Sequence, residues 1–435
     1  MTNQQANLDR SKAARQKVAA SLAKRYRSEK RFVFFGRLSI ALGVLALLVL
    51  FIKIISEGSG AFTQTYLKVP VTFDLETLEV SEADFADDAA LQQGNFQGLI
   101  RQALRDRFPD VSGRKNKREL YRLVSVGAEY ELYDLLREDR ELLGQTKELW
   151  LLADDDIDTY IKSADADNAY AARMSEQQIS WLESLRANDQ LERKFNSNLF
   201  LNGDSSEPET AGIAGAVLGS LLTLMVTLAL SFPIGVAAAV YLEEYAPKNR
   251  LTDFIEVNIN NLAAVPSVIF GLLGLAIFLN LFGMPRSVPL VGGLVLTLMT
   301  LPTIIISSRS CLKAVPPSIR EAALGMGASK MQMILHHVLP LAMPGMLTGA
   351  IIGMAQALGE TAPLLMIGMV AFIADIPGSV TDPATVLPVQ IYLWADSPER
   401  AFTERTSAAI MVLLAFLILM NTLAVLLRKK LERRW

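Results

Sequence analysis

The chain has 435 residues, of which 51% are hydrophobic and only 20% are charged, and its mean hydropathy is +0.29. A composition this apolar excludes an ordinary soluble globular protein of the same length and indicates several membrane spans. The net charge of −3 conceals an uneven distribution, because the two termini are basic whereas residues 57–209 hold 17 Lys and Arg against 31 Asp and Glu.

Six long runs with at most one charged residue mark the predicted spans, since a bilayer core requires about 20 apolar residues per helix. The first run is shorter and reaches that length if Arg37 and Lys53 extend to the two interfaces. We therefore predict an all-α polytopic membrane protein with six transmembrane helices, the first of them an uncleaved signal anchor. The runs are Leu38–Ile52, Ile213–Leu242, Val257–Pro285, Ser287–Ser308, Ala342–Ile373 and Thr406–Leu427.

Charge predicts the topology of these spans. Basic segments stay in the cytoplasm, and six spans place both basic tails on that side. The acidic segment then lies outside. Three regions follow: a basic tail plus the first helix (residues 1–56), an extracytoplasmic domain (57–210) and a block of five transmembrane helices (211–435).

The extracytoplasmic segment has the patterns of a folded domain. Residues Val69–Val80 alternate between apolar and polar side chains, as a strand does, and three later stretches repeat apolar residues at helical spacing. We predict a small α+β, mostly helical domain inserted after the first helix. The acidic run Ala153–Asp167 lacks the Gly and the final Glu of a calcium loop, so we expect a solvated loop and no metal ligands.

The long connection between the fourth and fifth spans, residues 310–340, has helix–turn–helix chemistry. The prolines at 316–317 suit a helix start, and Gly327 can adopt the positive φ that ends a helix. Ser329 and Gln332 have the spacing of a capping box, which predicts a second helix. We expect Pro340 and Pro344 to break that second helix before the next span begins.

The same loop resembles the EAA loop of ABC importer permeases, in which E-A-A-x-x-x-G is followed twelve residues later by L-P. The resemblance implies a pair of coupling helices that sit in a cleft of a separate ATPase subunit. His337 departs from the pattern, since an aliphatic residue is usual there. The matching residues are Glu321, Ala322, Ala323, Gly327, Leu339 and Pro340.

An ATP site is not expected in this chain. The stretch Gly325–Lys330 contains two glycines and a lysine but lacks the spacing of a phosphate-binding loop, and it does not follow a strand. We therefore expect no cofactor here, with ATP and Mg²⁺ bound by the partner ATPase, and no enzymatic activity in this polypeptide.

The segment "GETAPLL" (Gly359–Leu365) resembles the PstA family of phosphate importer permease subunits and its PstC paralogues. The stretches 232–247, 261–274 and 300–330 also resemble PstA, and residues 57–210 resemble an uncharacterised extension of some PstA proteins. The resemblance implies half of a phosphate pathway in the bacterial inner membrane. The implied partners are a PstC-like permease, a PstB-like ATPase dimer, a PstS-like phosphate-binding protein and membrane lipid, but no nucleic acid.

Glu360 is the single carboxylate within the fifth run, where a charge costs roughly 2.5–3.5 kcal/mol at mid-bilayer. Gly359 and Pro363 flank it, so we expect the helix to loosen there and, with Thr361, to line the translocation pathway. Glu360 either holds a cation of the partner permease or accepts a hydrogen bond from monoprotonated phosphate. Gln356 stands where the family often has Arg; it is four residues before Glu360 and shares its helix face, so we assign it to the pathway as well. A structural Glu that caps a helix break is the alternative.

Three other functions remain open from the sequence. The chain could be an ABC permease for another oxyanion, or a proton-coupled secondary transporter that uses Glu360 as its proton carrier. The EAA loop disfavours the secondary transporter, because that class has no ATPase to receive such a loop. A membrane sensor is disfavoured because both tails are too short to hold an output domain.

Overall fold

The computed structural model describes residues 2–82, 85, 87–163, 174–399 and 401–431, with side chains described except at 2–20, 23, 24 and 431. The chain divides into two units, Met1–Ser56 and Glu57–Trp435. The described residues of the first unit lie in a single helix, α1 (Thr2–Gly58), which together with the 3₁₀ turn after it contains a candidate span at Arg25–Phe62. The helix extends far beyond the predicted run Leu38–Ile52, because the sequence up to Gly58 lacks proline and is rich in Ala, Lys, Arg and Leu.

The second unit begins with a small α+β domain, as predicted. Its sheet has three antiparallel strands in the order β2-β1-β3: β1 (Thr63–Thr72), β2 (Thr146–Leu152) and β3 (Leu191–Phe195). Short 3₁₀ turns lie at Gly60–Phe62 and Arg140–Leu142. The helices of the domain are α2 (Leu75–Leu78), α3 (Asp88–Leu91), α4 (Phe96–Arg107), α5 (Arg114–Tyr121), α6 (Ala128–Glu138), α7 (Asp155–Ser163), α8 (Glu176–Ala187) and α9 (Asn198–Leu201).

The predicted strand at Val69–Val80 is correct in type and wrong in its bounds, because β1 begins at Thr63 and ends at Thr72. Asp74 ends the strand: its side chain accepts hydrogen bonds from the N–H groups of Glu76 and Thr77 and so caps α2. Alternation along β1 holds, and its inward residues join the apolar core of the domain. The predicted acidic loop is largely helical, since α7 occupies Asp155–Ser163, and residues 164–167 lie outside the described residues.

The membrane block contains ten helices among its described residues, three of them continued by π-helical turns at Tyr241–Tyr245, Leu275–Leu281 and Ile334–Val338. The helices are α10 (Ala214–Val240), α11 (Arg250–Ala263), α12 (Ser267–Gly274), α13 (Pro289–Ala314), α14 (Pro317–Gly325), α15 (Lys330–Met333), α16 (Leu339–Gly359), α17 (Ala362–Met366), α18 (Leu387–Ala395) and α19 (Ala401–Leu431).

Two predicted spans are not continuous helices. The third, Val257–Pro285, is a pair of helices (α11 and α12) bent by 101°, because Pro266 cannot continue α11 and disfavours helical geometry in the residue before it. The fifth, Ala342–Ile373, ends as a helix at Gly359 and continues as the short α17. The described residues thus hold five unbroken candidate spans, and six if the bent pair counts as one.

The small domain and the 310–340 loop lie at opposite ends of the membrane block. Lys162 of the domain pairs with Glu404 in the first turn of α19, whereas Arg428 in the last turn of α19 donates to Thr348, the tenth residue of α16, which follows the loop. Because α19 runs from one contact to the other, a membrane crossed by α19 separates the domain from the loop. Which of the two sides is cytoplasmic stays a prediction.

Candidate functional site

The loop between α13 and α16 folds as the predicted helix–turn–helix. Helix α14 has Pro317 in its first turn, and the chain turns after it at Gly327, whose φ is +88°. The capping box is present: Gln332 donates its backbone N–H to the Ser329 hydroxyl, and Ser329 donates its own N–H to the Gln332 side chain. We call residues 315–338, the helical part of the predicted 310–340 loop, the coupling loop, after the role that the resemblance implies.

One expectation about this loop is wrong, because Pro340 and Pro344 do not break the helix. The segment Lys330–Gly359 is one candidate span, joined through the π-helical turn at Ile334–Val338. Leu339 donates its N–H to the Ile334 carbonyl across this widened turn, and Pro340 follows with no N–H to donate. The wider hydrogen-bond pattern of the π turn therefore accommodates a residue without an N–H, which would interrupt a regular α-helix.

The EAA residues divide between a buried and an exposed face. Ala323 is buried among Leu312, Ile334 and Val338, which anchors α14 to the ends of the spans. Glu321 and Ala322 are exposed, and so are large apolar residues that a solvated loop would normally cover. The exposed apolar residues are Leu324 (48%), Met326 (79%), Met331 (55%) and Leu335 (45%). An exposed apolar face with one acidic residue suits contact with a partner protein.

Salt bridges that the sequence did not reveal fasten the coupling loop. Arg320 donates to the Glu244 carboxylate at 2.8 and 3.1 Å, and to the carbonyls of Val315 and Leu312 at 2.7 and 2.8 Å. Outside the loop, Arg309 of α13 pairs with Glu256 of α11 at 2.6 Å. The sequence signal for the Arg320 bridge was the acidic pair Glu243–Glu244, which follows the run 213–242. Charges at the end of a span are ordinarily used only to predict membrane topology.

Glu360 lies where helix α16 ends. Its backbone is extended (φ −82°, ψ 119°), and its N–H donates to the Ala357 carbonyl at 3.2 Å. Thr361 precedes α17 without a side-chain cap, and Pro363 is buried in the first turn of α17. The predicted loosening of the helix at this position is confirmed, and it separates α16 from α17 completely.

The Glu360 carboxylate is half-buried, and within the described part of the chain it makes no hydrogen bond or ion pair. Gln356 is exposed and makes no bond to it. Because Glu360 has left helical geometry, the spacing of Gln356 and Glu360 does not set a shared helix face. A cation for Glu360 supplied from outside this chain therefore remains a prediction, as do the other pathway assignments.

Close helix contact fixes the position of this break. A Cβ added at Gly271 of α12 would lie 2.6 Å from Pro363 Cα, so the two backbones touch directly. Only glycine permits such an approach. The orientation of α17 beside Glu360 thus depends on a residue about ninety positions earlier in the chain.

The small domain is fastened to the membrane block by buried polar groups. The Glu209 side chain is 5% exposed and accepts a hydrogen bond from the Ser125 hydroxyl, while Gln64 donates to the Glu209 carbonyl. Burial raises the pKa of Glu209 to about 7, and Asp155 and Glu207 add repulsion. Arg405 of α19 donates to the Ala211 carbonyl at 2.5 Å. These contacts join the domain, the linker and α19.

An acidic cluster lies beside this junction. The carboxylates of Asp154, Asp155 and Asp156 lie within 4.8 Å of one another. Burial and the neighbouring carboxylates raise the pKa of Asp154 to about 8. The solvated loop expected here is instead the half-buried start of α7.

Two family models match the chain. Residues 231–435 match "Binding-protein-dependent transport system inner membrane component", and residues 19–170 match "Domain of unknown function (DUF3333)". The second match covers α1 in part and most of the small domain.

Curated relatives match the membrane block. The chain is 30% identical to "Phosphate transport system permease protein PstA 1" of Mycobacterium tuberculosis over 54% of this chain and 76% of that protein. It is 32% identical to the PstA protein of Mycobacterium leprae over 54% of this chain and 76% of that protein. It is also 35% identical to "Probable ABC transporter permease protein YqgI" of Bacillus subtilis, over 35% of this chain and about half (52%) of that protein.

Among solved structures, a chain of the MetNI methionine ABC transporter aligns over 50% of this chain and 97% of its own length. The TM-score is 0.42 and the identity is 21%.

Proposed function

The chain belongs to the family of the PstA phosphate transport permeases, and on that premise we propose that it forms half of the transmembrane pathway of an ATP-driven phosphate importer. The observation that carries the proposal is the coupling loop, an exposed helix–turn–helix at the end of the block opposite the small domain. Such a loop serves a transporter whose energy source is a separate protein. Phosphate as the cargo is supported by the names of the relatives.

The coupling loop receives the ATPase in this proposal. Glu321 offers an acceptor, and Leu324 and Met326 offer apolar surface to a cleft of a PstB-like ATPase dimer. ATP and Mg²⁺ belong to that dimer. Closure of the dimer around ATP moves the loop, and the movement switches the pathway between outward-facing and inward-facing states.

A PstC-like permease completes the pathway. Helix α11 supports this step, because it buries no residue against its own chain while exposing Leu251, Phe254 and Val257. A PstS-like phosphate-binding protein delivers the anion from the side of the small domain. Both termini then lie in the cytoplasm, and residues 57–210 lie outside the inner membrane.

Glu360 acts within the pathway. The helix break at Gly359–Thr361 frees backbone groups to line a cavity, as non-helical backbone does elsewhere in membranes. The half-buried carboxylate does not ligate the phosphate anion directly. It orients a cation of the partner permease or accepts the proton of HPO₄²⁻ in a hydrogen bond.

Uptake of radiolabelled phosphate by cells with and without this chain tests the proposal. We expect deletion to remove high-affinity uptake, with competition by phosphate-like anions and not by sulfate. The Glu360→Gln variant should reduce uptake at normal abundance in the membrane, whereas Glu138→Gln, an exposed change in the small domain, should not. Unchanged uptake after deletion would overturn the phosphate assignment.

The same assay separates the proposal from its rivals. Competition by a different oxyanion, such as a phosphonate, with no effect of phosphate would assign another cargo. Uptake that survives loss of the ATPase and collapses with an uncoupler would indicate a proton-coupled secondary transporter.

A further inference from the structure

A movement of the coupling loop must reach the spans to change the pathway. We propose that Arg320 and Glu244 form a clamp that makes α14 move as one body with the end of the α10 span. The inference deepens the proposed function and rests on it. Arg320 and Glu244 are positioning residues here, because they touch neither cargo nor nucleotide.

The clamp joins three elements through one guanidinium group. Arg320 stands in the first half of α14, Glu244 stands at the end of the α10 span, and the two carbonyls belong to the end of α13 and its C-terminal flank. Three donors of Arg320 make four bonds of 2.7–3.1 Å to these groups. The side chain of Glu244 is 8% exposed, and that of Arg320 is 21% exposed. Within the described residues, Arg320 is the sole partner of the Glu244 carboxylate.

The π-helical turn Tyr241–Tyr245 makes this arrangement possible. A π turn contains one residue more than an α turn, so consecutive side chains leave it in altered directions. Glu243 faces α13, with its carboxylate 3.6 Å from both Arg309 and Lys313, while Glu244 faces α14. Two adjacent carboxylates thus serve two different elements.

The same turn also contacts the second helix of the coupling loop. The ammonium group of Lys330 lies 4.8 Å from the centroid of the Tyr245 ring, and the Tyr245 hydroxyl lies 3.5 Å from the sulfur of Met331. One turn of the α10 span therefore fastens both α14 and α15. A displacement of the loop must either move this turn or break these contacts.

Arginine suits the clamp for a chemical reason. Its planar group presents several donors at fixed angles and so serves a carboxylate and two carbonyls together, which the single ammonium group of lysine does not do. The Arg320→Lys variant keeps the charge and loses this geometry. Comparing this variant with Arg320→Ala separates the effect of the hydrogen-bond geometry from that of the positive charge.

The test uses the complete transporter reconstituted in liposomes with its ATPase and binding protein. We expect Arg320→Ala and Glu244→Ala to retain ATP hydrolysis and assembly while import per ATP falls by about tenfold, within the range of typical coupling free energies. The double variant should lose no more than the worse single variant, because the two side chains act through each other. Arg320→Lys should fall in between, and Lys248→Ala, an exposed charge change nearby, should match the wild type.

Unchanged import per ATP in both single variants would overturn the clamp. So would losses that multiply in the double variant, since independent residues would then be responsible.

A second measurement does not depend on the cargo. Spin labels at Ser318 of α14 and at Ile234, both exposed, report the distance between the coupling loop and the α10 span. With the clamp intact, the distance should stay the same without nucleotide and with ATP, and it should change with ATP in the Arg320→Ala background. An equal change in both backgrounds would refute the clamp. If phosphate import fails while the label distance in the wild type stays the same with and without ATP, the assignment of phosphate as cargo is wrong and the clamp is still supported.

Discussion

Replacing Glu209 by Gln tests how the small domain is attached. Glu209 is the most buried carboxylate of the junction, and its second oxygen has no hydrogen-bond partner among the described residues. Glutamine has the same shape and can still accept the hydrogen bond of Ser125. The substitution therefore removes the titration of the group with little change in packing.

The structure sets the size and sign of the effect. Burial raises the pKa of Glu209 from an ordinary value of 4.5 to about 7, which corresponds to roughly 3 kcal/mol at 1.36 kcal/mol per pKa unit. Because the folded protein holds this proton more tightly than the unfolded chain, the wild-type junction is most stable at low pH. That stability is lost as the pH rises from the unfolded value through the folded value of about 7.

Hydrogen–deuterium exchange measures the effect locally, after correction for intrinsic rates. The reporter amides are Ser125, which donates to the Leu152 carbonyl at 2.9 Å, and Gly127, which donates to the Ser125 hydroxyl at 2.9 Å. Between about pH 5 and pH 8, the free energy of opening at these amides should fall by roughly 2–3 kcal/mol more in the wild type than in Glu209→Gln. Glu138→Gln, an exposed change elsewhere in the small domain, should behave like the wild type.

Two outcomes would refute this reasoning. If Glu209→Gln shows the same dependence on pH as the wild type, another group controls the junction, and Asp154, whose pKa is about 8, is the first to examine. If the variant is destabilised equally at both pH values, Glu209 acts through a hydrogen bond that glutamine does not replace.

Two further substitutions test the contacts that position the site. Gly271→Ala should lower import and cost about 1–3 kcal/mol of stability, because the added Cβ presses on the Pro363 backbone. Gly43→Ala, where an added Cβ meets nothing within 4 Å, should leave import unchanged and should not destabilise its helix; equal effects of the two substitutions would contradict the role of close packing. Lys162→Met should lower protection of the α7 amides by about 3 kcal/mol, because it leaves two carboxylates without their cation, and the exposed Lys147→Met is the control. Equal protection in the two lysine variants would show that the pairing contributes nothing.

Local signals allowed much of the fold to be predicted. Apolar runs located each candidate span of the described residues, although two of the runs are not continuous helices, because burial in a bilayer requires a continuous stretch of apolar residues. The capping box at Ser329 and the turn at Gly327 were also correct, since both depend on neighbours within three residues. Three predictions were wrong: the continuous span at Pro266, the helix break at Pro340 and the end of the first strand. They share one cause, because a proline or a capping residue is compatible with several local structures and contacts with distant residues decide which one forms.

The contacts that matter most for coupling were invisible to such signals. Arg320 and Glu244 are 76 positions apart, and each alone fits the ordinary preference for charge at the end of a span. Their meeting depends on a π turn, which has no signature in the apolar pattern. The clamp therefore becomes evident only when α10, α13 and α14 are packed together.

Arg320 and Glu244 find each other within this chain, whereas a partner for the Glu360 carboxylate must lie outside its described part. A half-buried carboxylate within a predicted span is costly unless a cation or a hydrogen-bond donor faces it, and the described part of this chain offers neither. No residue of helix α11 is fully buried within this chain, although half of a transport pathway must be lined by a second subunit. Both features are explained if the partner permease supplies the group that faces the Glu360 carboxylate and the surface that packs against α11. If that cation is replaced by cysteine, Glu360→Cys should form a disulfide with it under mild oxidation, whereas Gln356→Cys should not; equal crosslinking from both positions would contradict the pairing.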